Sequence, residues 1–276
     1  MDWLTSSSVL IFAIALVGGV VPLVLRRTER VQHLMIAFAA GVFLGAVFLH
    51  LLPEIAGMAA GATADAEHHG HAHPHGDDAD HQGAGHHLGR GHLLWLCVLL
   101  GVLLLFLIEN LLLRGAPRSG EAAAESQDRH RTVGWATLFG LSVHAFTAGL
   151  GLSAGVQMEA LQGPLLVSVV SHKAVEGFSL GAAFLLAGMP RRRVLVLVLL
   201  FALVTPAGAL SRVLLAPEMT GLGLQVFTAL AAGTFLFVAI CDLLPEVFHH
   251  RQDTAAKVVL LIAGIGVDLI VHSVVE

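Results

Sequence analysis

Charge is what this chain has least of. Only 13% of its 276 residues are Asp, Glu, Lys or Arg, where a soluble domain holds about a quarter. Hydrophobic residues make up 56%, and the mean hydropathy is +0.80. That scarcity excludes an ordinary water-soluble globule and provides no basic face for nucleic acid. Cysteine is nearly absent as well: Cys97 and Cys241 both fall inside apolar runs, so no disulfide framework holds the chain. No Gly-x-x-x-x-Gly-Lys-Ser/Thr segment occurs, which removes the phosphate loop of an ATP-driven pump. Basic residues are missing ahead of the first apolar run, where only Asp2 and Trp3 stand. A cleavable signal peptide begins with positive charge, so this run is expected to remain as a helix.

Long apolar runs are abundant. A run of roughly 20 residues crosses a ~30 Å hydrocarbon core, and eight are present: Ser7–Leu25, His33–Gly57, Leu93–Leu113, Val133–Met158, Pro164–Gly188, Val194–Leu215, Gly223–Phe248 and Thr254–Val275. The expected fold is all-α, a single polytopic transmembrane domain over residues 1–276. Basic residues orient it. With both termini outside, the cytoplasmic side holds Arg26, Arg27, Arg30, Arg114, Arg118, Arg129, Arg131, Arg191, Arg192, Arg193, Arg251 and Lys257. The outer side holds Arg90 alone, and Lys173 and Arg212 lie within spans. The positive-inside rule predicts N-out, C-out in a cell (plasma or inner) membrane, and Trp3, Trp95 and Trp135 near span ends suit the interfacial belt.

The chain repeats itself. Laid at an offset of 192, Ala39–Glu54 and Ala231–Glu246 agree at nine of sixteen positions, including Ala-Ala-Gly-x-Phe-Leu and Leu-Leu-Pro-Glu. Spans two and seven are five apart and run in opposite directions, as in the inverted repeats of secondary transporters. Spans four and five also echo each other: His144 and His172 each have a glycine five residues later, Gly149 and Gly177. The arrangement reads as three helices, a central pair and three inverted helices. Two loops stand apart. Residues 61–92, with nine histidines from His68 to His92, are too polar and simple in sequence to bury a core and are expected to be disordered. Residues 114–131 form a mixed-charge cytoplasmic loop.

The chemistry concentrates in the central pair. Ionisable groups at bilayer depth are costly and mark functional sites. His144 and His172 both reach roughly the midplane, and Glu176 shares a face with His172 at i,i+4. Two imidazoles and a carboxylate suit Zn²⁺ in four-coordinate geometry, with water, Thr147 or Ser168 to complete the shell. Two histidines at matching depth beside a carboxylate favour a ligand set over a simple interhelical hydrogen bond.

These residues carry a resemblance. Ser171-His172-Lys173-Ala174-Val175-Glu176-Gly177, His144 with Gly149, and the span-two and span-seven motifs together resemble the ZIP (Zrt/Irt-like protein) family of divalent metal transporters, over essentially all eight spans. The resemblance implies a midplane zinc site, often binuclear, with His144, His172 and Glu176 as primary ligands, and a homodimer moving metal by elevator-like displacement. The chain departs from the pattern at Ala145 and Ala148, where polar or acidic residues are frequent. It departs again at Lys173, where some binuclear members have a carboxylate. An ammonium there opposes a second cation and can pair with Glu176, so one metal is expected.

His50 and Glu54 at the outer end of span two, and Asp242, Glu246, His249 and His250 at the cytoplasmic end of span seven, are candidate contacts before and after the central site. Asp268 and His272 form a candidate polar pair on span eight. The histidine loop is a candidate metal collector, because unprotonated imidazole binds zinc and releases it near pH ~6.5. The expected function is a secondary transporter carrying Zn²⁺, or a related divalent ion, into the cytoplasm. Two rivals stand beside it. An intramembrane zinc hydrolase would need a spare general base beside a metal-bound water. A membrane metal sensor would bind without flux.

Overall fold

The computed structural model describes residues 2–25, 29–68, 89–113, 122–156, 159–215, 221–248 and 252–275. They form eight helical rods: α1 (Asp2–Val24), α2 (residues 29–68), α3 (residues 90–113), α4 (Ala122–Leu152), α5 (Gln162–Leu186), α6 (residues 191–215), α7 (residues 221–248) and α8 (Thr254–Val275). Seven rods, α1 to α7, are long and apolar enough to cross a membrane. Their outer faces carry Leu99, Leu100, Leu200, Phe139 and Val17 in exposed positions. Such a coat suits lipid rather than water as solvent.

Proline shapes three rods. Pro53 and Pro245 have no N–H to give the carbonyl four residues back. The helices answer with a wider π turn just before each proline, at Ala46–Leu51 in α2 and Val238–Leu243 in α7. Leu52 N–H accordingly reaches Val47 O, and Leu244 N–H reaches Ala239 O. Every one of these positions differs by the repeat offset, so the two halves share a backbone irregularity as well as a sequence. In α6, Pro206 breaks the rod at Leu203, between Arg191–Ala202 and Val204–Leu215. Between α5 and α6 the chain reverses on Gly188, whose φ of 71° only glycine adopts cheaply. Its N–H bonds Leu185 O at 3.0 Å, and Met189 N–H bonds Phe184 O at 3.1 Å, closing the end of α5.

Packing follows the repeat. α1 lies on α5 and α4 on α6; α2 lies on α8 and α3 on α7. Two four-helix bundles result, α1/α4/α5/α6 and α2/α3/α7/α8, joined where α4 meets α7 and α2 meets α5. Glycines make each seam by letting backbones touch. Gly41 faces Leu261 O and Gly264 faces Phe38 O; their repeat mates Gly233 and Gly101 face Val98 O and Leu230 O. In the other bundle, Gly18 and Gly177 join α1 to α5, and Gly208 and Gly149 join α6 to α4 in the same way.

Several boundaries differ from the sequence expectation. α1 begins at Asp2 rather than Ser7, and α4 begins at Ala122, so residues 122–131 are helix rather than loop. Ala122-Ala123-Ala124-Glu125 are strong helix formers, which hydropathy alone overlooks. Helical backbone likewise runs to His68 and resumes at Arg90. The rest of the histidine loop, residues 69–88, lies outside the described residues, as do His249 and His250.

Candidate metal centre

α4 and α5 bring the central residues together. His144 is 6% exposed and Glu176 fully buried. Glu176 Oε1 lies 3.5 Å from His144 Nε2 and 3.4 Å from His172 Nε2. One ligand atom from each of the three falls within 4.8 Å of the others. Two donors bound to zinc at ~2.0–2.1 Å and a tetrahedral angle sit roughly 3.3–3.4 Å apart. The spacing therefore fits a shared ion, and it is long for hydrogen bonds. Among the described residues, neither His144 nitrogen nor Glu176 Oε1 makes a hydrogen bond. Buried polar atoms normally have partners, so these donors are held ready for something else.

Lys173 divides the carboxylate's work. Its Nζ donates to Glu176 Oε2 at 2.7 Å, from a fully buried position, and sits 5.0 Å from the Phe201 ring centroid. One oxygen of Glu176 thus answers the ammonium while the other faces the histidines. On α4, the residues equivalent to Lys173 and Glu176 are Ala145 and Ala148, and neither offers a polar atom. Thr147 donates its hydroxyl to His144 O at 2.8 Å, leaving oxygen lone pairs available. The side chain of Ser168 lies outside the described residues.

Phe235 escaped the sequence reading as a site residue. Its ring stacks on His144 at 4.4 Å between centroids and meets Phe43 edge-on at 4.8 Å. Phe43 and Phe235 are repeat mates from α2 and α7, so the second bundle presses an aromatic pair against the α4 ligand. Their place in the shared Ala-Ala-Gly-x-Phe-Leu motif was the available signal. Phe235→Ala is expected to weaken zinc binding roughly a few-fold to tenfold, the equivalent of an aromatic contact worth about 0.5–1.5 kcal/mol. Isothermal titration with zinc, against Phe235→Leu as a packing control, measures it.

The peripheral candidates sort differently. His50 pairs with Asp268, Nε2 to Oδ2 at 3.2 Å. Asp268 thus has a partner on another helix, where the sequence suggested His272; the side chain of His272 lies outside the described residues. Glu54 is exposed. Asp242 and Glu246 are buried, at 2% and 1% exposure, so they are not merely solvated helix-end residues. Glu246 Oε1 lies 2.8 Å from Nδ1 of His130, a residue the sequence reading placed in a loop. Glu109, buried in the π turn of α3, was also missed; a lone carboxylate in an apolar run was its signal.

Similarity to known proteins agrees with this geometry. The family described as "ZIP Zinc transporter" matches residues 2–128 and 114–272. The chain belongs to the ZIP zinc transporter family. Its relatives include zinc transporter ZIP9-B of Xenopus laevis, 27% identical over 292 residues, which span 93% of this chain and 91% of the relative. Zinc transporter 8 of Oryza sativa is 31% identical over 159 residues, 53% of this chain and 40% of the relative. The family is one of transporters rather than enzymes, which retires the hydrolase reading.

Proposed function

We propose that this ZIP protein carries Zn²⁺ through the membrane into the cytoplasm by way of one ion held between His144, His172 and Glu176. The convergence of three donors within 4.8 Å of one another carries the reading, with Glu176 Oε1 at about the edge length of a zinc tetrahedron from each histidine nitrogen. Family membership supports zinc as the cargo.

The route follows from the packing. α4 and α5 carry all three ligands and belong to one bundle; the second bundle supplies the Phe43/Phe235 wall. Displacement of the first bundle along the second would expose the ion to each side in turn. Asp242 and Glu246, with His130, are the release contacts on the side where the arginines cluster, and His50 and Glu54 are the approach contacts. That asymmetry of basic residues supports the N-out, C-out orientation, and the buried acids on the inner side support uptake.

Zinc flux into proteoliposomes tests the assignment. His144→Ala and His172→Ala are each expected to reduce uptake to background while the purified proteins keep their elution profile. Uptake at the parent rate in both would defeat the central site.

Lys173 sets the count. A buried ammonium beside Glu176 repels a second divalent ion, so the protein lacking residues 69–88 is expected to bind one zinc. Elemental analysis after gel filtration measures this, and two ions per chain would contradict it.

A further inference from the structure

We propose that a crevice between α3, α4 and α6 is a binding site for the acyl chain of a membrane phospholipid, and that its occupant bears on the metal centre through Phe201. The crevice encloses about 350 Å³. α6 lies against α4 at Gly149 and Gly208, and the break that Pro206 imposes on α6 at Leu203 falls beside the lining residue Val204.

The lining decides the ligand. Trp135, Phe139 and Ser142 come from α4, Leu200 and Phe201 from α6, and Ile108 from the π turn of α3; among the described residues Ser142 brings the only hydroxyl to the wall. Every lining residue falls inside a segment able to cross a membrane. Phe139 and Leu200, 45% and 55% exposed, continue the lipid-facing surface into the cleft. Hydrocarbon is therefore the solvent at the mouth, and an unbranched methylene chain needs no polar partner to enter.

Two features give the site a consequence. Phe201 forms the inner wall, is 1% exposed, and lies within 5.0 Å of the Lys173 ammonium that holds Glu176. Ile108 belongs to the second bundle while the other walls belong to the first. A chain lodged here touches both bundles and the ring beneath the metal centre's lysine.

Trp135 supplies the probe. Full-length protein carrying Trp3→Phe and Trp95→Phe retains it as the one tryptophan. Trp135 also packs edge-on against Phe184 at 5.4 Å, which fixes the indole beside the cleft. In phosphatidylcholine vesicles with mid-chain bromines, the protein is expected to lose most of its emission relative to unbrominated vesicles. Val204→Phe, or independently Ser142→Leu, fills the cleft and is expected to restore most of it. A single-tryptophan protein retaining the exposed Trp95 serves as the control that must be quenched in every background. Unchanged Trp135 emission in brominated lipid overturns the proposal, as does quenching that survives both filling substitutions. Cross-linking of two chains through this face would assign the cleft to a second copy and overturn it equally. Zinc uptake is expected to vary with acyl-chain length in the parent and to lose that dependence when the cleft is filled. That last readout rests on the transport reading, whereas the fluorescence does not, so failure of one is distinguishable from failure of the other.

Discussion

Glu176→Gln is expected to abolish zinc uptake and to destabilise the protein severely, whereas Glu176→Leu combined with Lys173→Met recovers the fold without the uptake. The two losses have separate causes. Transport fails because the amide replaces the charged oxygen that faces His144 and His172. The fold suffers because Lys173, fully buried, loses the carboxylate 2.7 Å from its ammonium and, among the described residues, keeps the Phe201 ring. Removing one member of a buried ion pair costs about 3–5 kcal/mol, while replacing both with apolar groups is close to neutral. Against a total stability of roughly 5–15 kcal/mol, the single change consumes a large share. Thermal unfolding in detergent and proteoliposome flux read the two effects separately. A Glu176→Gln protein as stable as the parent would show that Lys173 does not depend on this carboxylate.

Gly177→Leu should be worse still, leaving little or no folded protein. A Cβ at Gly177 would stand 2.2 Å from Ala15 O and 3.0 Å from Gly19 N, and backbone atoms cannot rotate aside. α1 would have to leave α5 along its whole seam. Its repeat mate Gly149, 2.2 Å from Thr205 O, predicts the same outcome for α6 on α4. Ordinary overpacking costs about 1–3 kcal/mol, but here two helix backbones must separate. Gly151→Ala supplies the contrast, because nothing lies within 4 Å of a Cβ there. Recovery of monodisperse protein after membrane extraction distinguishes the three variants; normal recovery of Gly177→Leu would mean that α1 and α5 do not meet as described.

The spans and the residues that cluster between α4 and α5 could be read from sequence for one reason: the membrane forbids what they contain. An apolar run must continue for some 20 residues to cross, and ionisable groups such as His144, His172 and Glu176 inside one cannot be incidental. The repeat was visible because Ala-Ala-Gly-x-Phe-Leu and Leu-Leu-Pro-Glu recur whole. What escaped depends on rotation about helix axes, which hydropathy does not encode. His50 meets Asp268 and His130 meets Glu246 across helix boundaries, and no spacing along one chain segment reveals either pair. The π turns shift that rotation further; Pro53 and Pro245 were their only trace. The first turns of α4 were read as loop because a polar helix projecting from a membrane has no apolar stripe to betray it.

The paired imidazoles have unequal company, and on the proposed ligand set this favours one rod as the keeper of the cargo when the coordination shell opens. An ion leaving a shell stays with the donors that remain tethered together. α5 contributes a neutral nitrogen and an anionic oxygen from adjacent turns, a chelate with its own charge compensation, whereas α4 offers a solitary ring flanked by methyl groups at 145 and 148. On the proposed ligand set, partial dissociation is expected to begin at His144 and to leave the zinc on α5.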